Sequence, residues 1–247
     1  MTIRTAFLSA LLLSVTLPLV AQEAAAPEQP QAPRRVSPIA ALRNNPEAWN
    51  EPEFHIAIVN ESKAVDGAWL DETVKDIVKQ SMLRFVVVET QEADGVDAKT
   101  LLANAKTAAG DKAKGYIILS KKVEMPILTS PGMGWAIMNP EWVLSDKEAD
   151  NEKNQERMGK QLRRAIGMAF GAGFRPEKEA LLRIARTPQE LDEARSKNYH
   201  PQTLGTIQAV ARSLGIERRK LKPREELEKM GLIPPRKPKA EEPTAEK

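Results

Sequence analysis

Apolar residues in this chain come in two rhythms, short unbroken runs and three-to-four-residue steps, and their alternation predicts the elements. Phe54-His55-Ile56-Ala57-Ile58-Val59, ended by Asn60, reads as a buried strand. Leu70, Val74, Ile77, Val78 and Met82 then recur at helical steps, which predicts a helix over 71–83 with one apolar stripe. Phe85-Val86-Val87-Val88 is continuous and β-branched, the pattern of a strand covered on both faces. Ala98 to Ala109 predicts an alanine-rich helix closed by Gly110, and Gly115-Tyr116-Ile117-Ile118-Leu119-Ser120 a third strand. The order β-α-β-α-β predicts a layered α/β domain.

The middle of the chain changes character. Glu124 to Pro131 is interrupted by proline and reads as a loop, and Ser130-Pro131-Gly132-Met133-Gly134 as a flexible turn. Gly134-Trp135-Ala136-Ile137-Met138-Asn139 predicts a fourth strand, with Trp142 just beyond it. Asn151 to Phe170 predicts a long helix, with Met158, Leu162, Ala165, Ile166, Ala169 and Phe170 as its stripe and Gly171 as its stop. Short helices are expected over 188–196 and 201–214. The expected fold class is α/β (α+β), with a mixed sheet of about four strands, a backing helix, a long central helix and a helical C-terminal part.

Composition bounds the ends. Arg4 followed by the apolar run Ala6 to Val20 reads as a secretory signal over 1–21, which implies an exported protein, periplasmic or secreted. That run is short for a bilayer crossing and contains Pro18, so no stable membrane insertion is expected after cleavage. Residues 22–52 form a leader rich in Pro, Ala and Gln, and residues 217–247 a charged, Pro-rich tail with one short helix over 224–230. Residues 53–216 remain for a single globular domain. The chain has no cysteine, which excludes disulfides and thiolate metal sites. Its net charge of +3 arises from 37 basic and 34 acidic residues mixed along the sequence, weak grounds for nucleic-acid binding.

The stretch Arg164-Ala165-Ile166-Gly167-Met168-Ala169-Phe170-Gly171-Ala172-Gly173-Phe174 carries the most specific pattern. It resembles the metzincin zinc-peptidase motif H-E-x-x-H-x-x-G-x-x-H in spacing and in its glycines. With Gly171 on the motif glycine, the helix ligand positions fall on Arg164 and Met168, the base on Ala165 and the third ligand on Phe174. Arginine is cationic, phenylalanine has no lone pair, a thioether is a poor zinc ligand, and alanine cannot take a proton from water. The archaemetzincin branch adds cysteines and a methionine downstream. Counted without gaps, those positions are Arg175, Ala180, Leu182, His200 and Thr203, with Leu182 at the methionine. The resemblance covers roughly residues 54–205 and implies a metzincin-like fold without its metal or cofactor. Taken alone, the same stretch is an amphipathic helix ending in a Gly-Ala-Gly cap.

No substitute chemistry stands out. The two histidines, His55 and His200, lack ligand spacing, no Gly-x-Ser-x-Gly elbow is present, and Glu190 and Asp192 read as a solvated pair. In metzincins the strand before the active-site helix is the sheet edge that pairs with extended substrate. The resemblance therefore assigns Trp135, Ile137 and Trp142 to the lining of the old cleft. The function expected is a non-catalytic pseudopeptidase that binds a peptide or protein along that edge strand. The alternatives are a hydrolase with a rebuilt, non-zinc site and a structural protein of envelope assembly.

Overall fold

The computed structural model describes residue 42 and residues 45–144 and 151–235 of the 247. The described residues belong to one compact unit, Pro38–Lys247. The expected signal, most of the leader and the end of the tail lie outside them. No helix among the described residues is long and apolar enough to cross a membrane.

Five strands form the central sheet: β2 (His55–Glu61), β3 (Phe85–Thr90), β4 (Ala113–Leu119), β5 (Ile127–Ser130) and β6 (Trp135–Met138), in the order β3-β2-β4-β6-β5. β2, β3, β4 and β6 are mutually parallel, and β5 closes the edge antiparallel to β6. The parallel pairs need crossover helices, supplied by α1 (Gly67–Ser81) between β2 and β3 and α2 (Ala98–Ala109) between β3 and β4. Both begin on an aspartate that caps a free backbone N–H, Asp66 for Trp69 and Asp97 for Thr100. The expected α/β class holds, with five strands in place of about four.

Alternation along the strands divides the core. Ile56, Ile58, Ile117, Leu119, Ala136 and Met138 face one side, packed with Leu70, Val74 and Ile77 of α1 and Leu162, Ala165, Ile166 and Ala169 of the long helix α3 (Asn151–Ala169). Ala57, Val59, Ile118 and Ile137 face the other side, against Leu101 and Ala105 of α2. α4 (Pro201–Ser213) adds Ile207 and Ala211 to the first cluster. Burying each of the Val, Leu, Ile and Met side chains contributes about 1.5–3 kcal/mol, and each alanine less.

Four local expectations change. Glu124 to Pro131 is not all loop, because Ile127–Ser130 pairs with β6 as the true edge strand. α1 stops at Ser81, where Met82 turns left-handed (φ 58°), and Leu83 bridges Arg218 instead of continuing the helix. Over 188–196 the chain makes only a single 3-10 turn, Pro188–Leu191.

The fourth change concerns the ends. β1 (Trp49–Asn50) pairs antiparallel with β7 (Lys220–Leu221), and α5 (Arg224–Lys229) packs beside them. Leu42, Ala48 and Leu227 form a small buried cluster with Trp49, Leu221, Leu232 and Ile233 against it. The packed unit therefore passes the expected limits 53 and 216 on both sides. The apolar residues responsible lie on two segments, each too short to show a period of its own.

Candidate functional site

α3 runs under β6 and β5 and carries two stripes. The apolar one enters the core. Beside it lie Arg157, Gln161, Arg164 and Met168, at i, i+4, i+7 and i+11, which is one line on a helix surface. Arg157, Gln161 and Arg164 are buried.

Arg157 donates to both carboxylate oxygens of Asp192, from Nε at 2.8 Å and Nη2 at 2.6 Å. This fork-on-fork pair holds the Asp192 carboxyl below its ordinary range, chiefly through the Arg157 hydrogen bond. Asp192 is thus a structural anion holding α3 to the segment after the 3-10 turn, not half of a solvated carboxylate pair. Lys160, equally buried, donates to the Leu191 carbonyl at 3.0 Å and pairs with Glu156.

Arg164 stands where a zinc peptidase of this pattern places its first histidine. Its side chain does not reach solvent, and it forms no salt bridge among the described residues, although the Glu190 charge partly offsets its burial. It is 4 % exposed, donates from Nη1 to Gln161 Oε1 at 2.7 Å and from Nη2 to the Arg183 carbonyl at 3.0 Å, and its buried Nε has no acceptor among the described residues. Burial, and secondarily the Arg183 charge, push the guanidinium down to about 10, so it remains a cation at neutral pH. Gln161 passes the connection on, donating from Nε2 to the Pro126 carbonyl at 3.3 Å. One chain of hydrogen bonds therefore runs from the entry of β5, through α3, to the loop that carries Arg183.

The other positions of the motif divide. Ala165 is fully buried and Met168 packs half-buried against the main cluster. Gly171 adopts φ 75° and ends α3 in a Schellman turn, with Gly171 N–H to Met168 O at 3.0 Å and Ala172 N–H to Gly167 O at 2.9 Å. Phe174 does not fold under the helix beside Met168; it is 51 % exposed. Leu182, at the methionine position, is buried directly beneath α3: a Cβ on Gly167 would stand 2.9 Å from Leu182 Cδ2. Arg175 N–H donates to the Leu182 carbonyl at 3.0 Å, so the chain turns back after Gly171 and returns below the helix.

A cavity of about 470 Å³ opens on the far side of that return, and Arg175, Ala180, Leu182, His200 and Thr203 all line it. These are the five positions counted from the family's cysteines and methionine, brought together from residues 28 apart. Here Arg175 links the cavity walls, with Nη1 at 3.2 Å from His200 Nδ1 and 3.1 Å from Gln202 Oε1. His200 caps α4 by accepting from Gln202 N–H at the same Nδ1. With two donors on Nδ1, the neutral ring carries its proton on Nε2.

The residues present do not fit a zinc ion at the helix. Arg164 brings a cation already bonded to Gln161 and Arg183, Ala165 offers no base, and Phe174 offers no donor atom. Among the described residues no three His, Cys, Asp or Glu side chains come together as a metal group.

The cleft residues need correction. β6 is an inner strand, flanked by β4 and β5. Trp135 and Ile137 point to the α2 side of the sheet, away from α3, and Ile137 is fully buried. Trp142 is half-buried in the turn Glu141–Val143. The edge is β5, and its register settles which groups it offers. Asn139 N–H donates to Pro126 O, whose proline nitrogen returns no bond, and this phase makes 128/137 and 130/135 the pairs that exchange ladder bonds. The N–H and C=O groups of Ile127 and Thr129 face outward. Gln161, Arg183 and the edge strand were not singled out from sequence, although the spacing Arg157, Gln161, Arg164, Met168 was there to be read.

No protein-family model matches this chain, and no curated protein matches it. Among solved structures it is similar to archaemetzincin from Methanopyrus kandleri, at 16 % identity over 65 % of this chain and 96 % of that one, with a TM-score of 0.47. It is also similar to a zinc-dependent peptidase from Methanocorpusculum labreanum, at 16 % identity over 62 % of this chain and 99 % of that one (TM-score 0.49). Archaemetzincin from Archaeoglobus fulgidus, complexed with malonate, is similar at 16 % identity over 62 % and 99 % (TM-score 0.44).

Proposed function

We propose that this protein is an exported, non-catalytic polypeptide-binding protein on a metzincin-like scaffold, which pairs an extended segment with the outer edge of β5. The observation that carries this reading is the side-chain chain Pro126–Gln161–Arg164–Arg183. It fills the helix face that would hold a metal and braces the edge strand from below. Removing the ligands leaves the strand's outward N–H and C=O groups intact, and strand addition needs only those groups with pockets for alternate side chains. Export is proposed from Arg4 and the Ala6 to Val20 run.

Dye-labelled casein, an unfolded polypeptide, serves as probe. Fluorescence anisotropy should show saturable binding, while dye release stays at the buffer level with or without added zinc. Thr129→Pro removes one outward N–H and also the Thr129 hydroxyl bond to the Trp135 carbonyl, so Thr129→Val serves as control: affinity should fall by about tenfold in the proline variant and hold in the valine variant. Steady dye release that follows protein concentration would favour a hydrolase with a rebuilt site. Unchanged binding by the Thr129→Pro variant would remove β5 from the account.

A further inference from the structure

Basic residues distant in sequence converge where β2, β3 and β4 begin. Leu83 and Arg218 form an antiparallel bridge, and Arg219 N–H donates to the Met82 carbonyl at 2.7 Å, which pins the segment after α4 beside the start of β3. A cavity of about 490 Å³ there is lined by Arg212, Glu217, Arg218, Arg219 and Lys220. Four cations face one carboxylate.

Two of the four are engaged. Arg219 pairs with Glu51, and Lys220 with Glu217 at 2.8 Å. Arg212 and Arg218 are exposed and form no direct salt bridge among the described residues, although Arg212 lies near enough to Glu217 to help Lys220 hold that carboxyl below its ordinary range. Neighbouring strand starts add to the field. Lys114 lies over the Phe54 ring at 4.9 Å, and Arg84 donates to the Pro52 carbonyl at 2.9 Å. The buried His55 ring beside them is held below its ordinary range, first by burial and then by Arg84 and Lys112.

The stoichiometry of donors selects the ligand. A monocarboxylate satisfies one guanidinium fork, whereas a phosphate brings up to two charges and three acceptor oxygens, enough for two forks at once. We propose that this cavity binds the phosphate group of a small molecule, with Arg212 and Arg218 as its direct partners and Arg219 and Lys220 holding the surrounding field. The site is independent of the β5 edge.

Calorimetry on the full chain with inorganic phosphate tests this, beside Arg212→Gln/Arg218→Gln and a control, Lys99→Gln/Lys106→Gln, which removes the same charge from α2. All four side chains are exposed, so both variants should melt as wild type does. Wild type and control should bind one phosphate saturably, and the arginine variant should bind about tenfold more weakly or worse. Absence of saturable binding, or equal weakening in both variants, overturns the proposal. A second arm uses phosphatidylcholine vesicles doped with phosphatidic acid. Binding to those vesicles without binding of free phosphate would assign the arginines to a lipid surface and overturn the small-molecule site.

Discussion

At the scale of single residues, the chain keeps several cations inside the protein and treats each differently. Arg157 has a carboxylate in bidentate contact, whereas Arg164 has only a carboxamide and a peptide carbonyl. Neutral acceptors compensate a buried guanidinium less completely than an anion does, and Arg164 is depressed by burial and by Arg183, which the more distant Glu190 charge offsets only in part. His55 shows the same physics at a pH within easy reach. It is buried, its Nδ1 has no hydrogen-bond partner among the described residues, and burial, Arg84 and Lys112 all lower its affinity for a proton. The unfolded ring titrates near 6.5, and the folded ring below that. As pH falls through 6.5 the unfolded chain takes up a proton that the folded one refuses, so stability is full above this range and declines beneath it until the folded ring titrates too. Wild type should therefore lose more melting temperature than His55→Gln between about pH 7.5 and about pH 5.5. Parallel losses in the two proteins would show that His55 is not the group responsible.

At the scale of elements, the C-terminus of α3 is the best-determined junction. The Schellman turn at Gly171 accounts for two carbonyls of the last turn. The β5–β6 hairpin accounts for another, since Gly132 N–H and Gly134 N–H both donate to Ala169 O, at 3.1 and 3.0 Å. The loop read from sequence as a flexible turn is thus the cap of the long helix. Gly132 and Gly134 both have positive φ, which is why glycine recurs there. Substitution separates conformational strain from collision. A Cβ on Gly171 would meet its neighbours at 3.5 Å or more, so Gly171→Ala carries the conformational cost alone, about 1 kcal/mol. That corresponds to a fall in melting temperature of about 2–4 °C. A Cβ on Gly134 would stand 2.5 Å from Leu214 Cδ1 at φ 73°, so Gly134→Ala adds a shift of the Leu214 side chain to the same conformational cost and should lower the melting temperature at least as much. A Gly134→Ala variant that melts as wild type does would contradict the packing of the hairpin on α4.

At the scale of the whole molecule, the two ends of the folded unit are held by each other. Trp49 pairs with Leu221 across β1 and β7, Lys222 N–H reaches the Ala48 carbonyl at 2.9 Å, and Arg219 lies over the Trp49 ring at 5.8 Å. A chain ended after Glu217 loses the β7 strand, α5 and the Leu227 anchor together. It should melt at a lower temperature than the full chain, with the summed tryptophan emission shifted to the red as the Trp49 ring becomes wet, a shift that Trp49→Phe abolishes. An unaltered melting curve would mean that this layer adds nothing to the stability of the main sheet.

How much of this was legible varies with the range of the interaction. Periodicity alone specified β2, α1, β3, α2, β4, β6 and α3 to within a few residues, because each buries enough apolar surface along a continuous stretch to print its own rhythm. The glycine stop at 171 was equally local, and counting from it located five residues that line one cavity. The strands β1, β5 and β7 print no such rhythm. They are two to four residues long, and their pairing partners, not their composition, make them strands. The identity of the sheet edge, the outward face of Phe174 and the inward turn of Arg164 toward Arg183 belong to the same category. Each depends on which distant backbone group ends up nearby, and only the tertiary structure decides that.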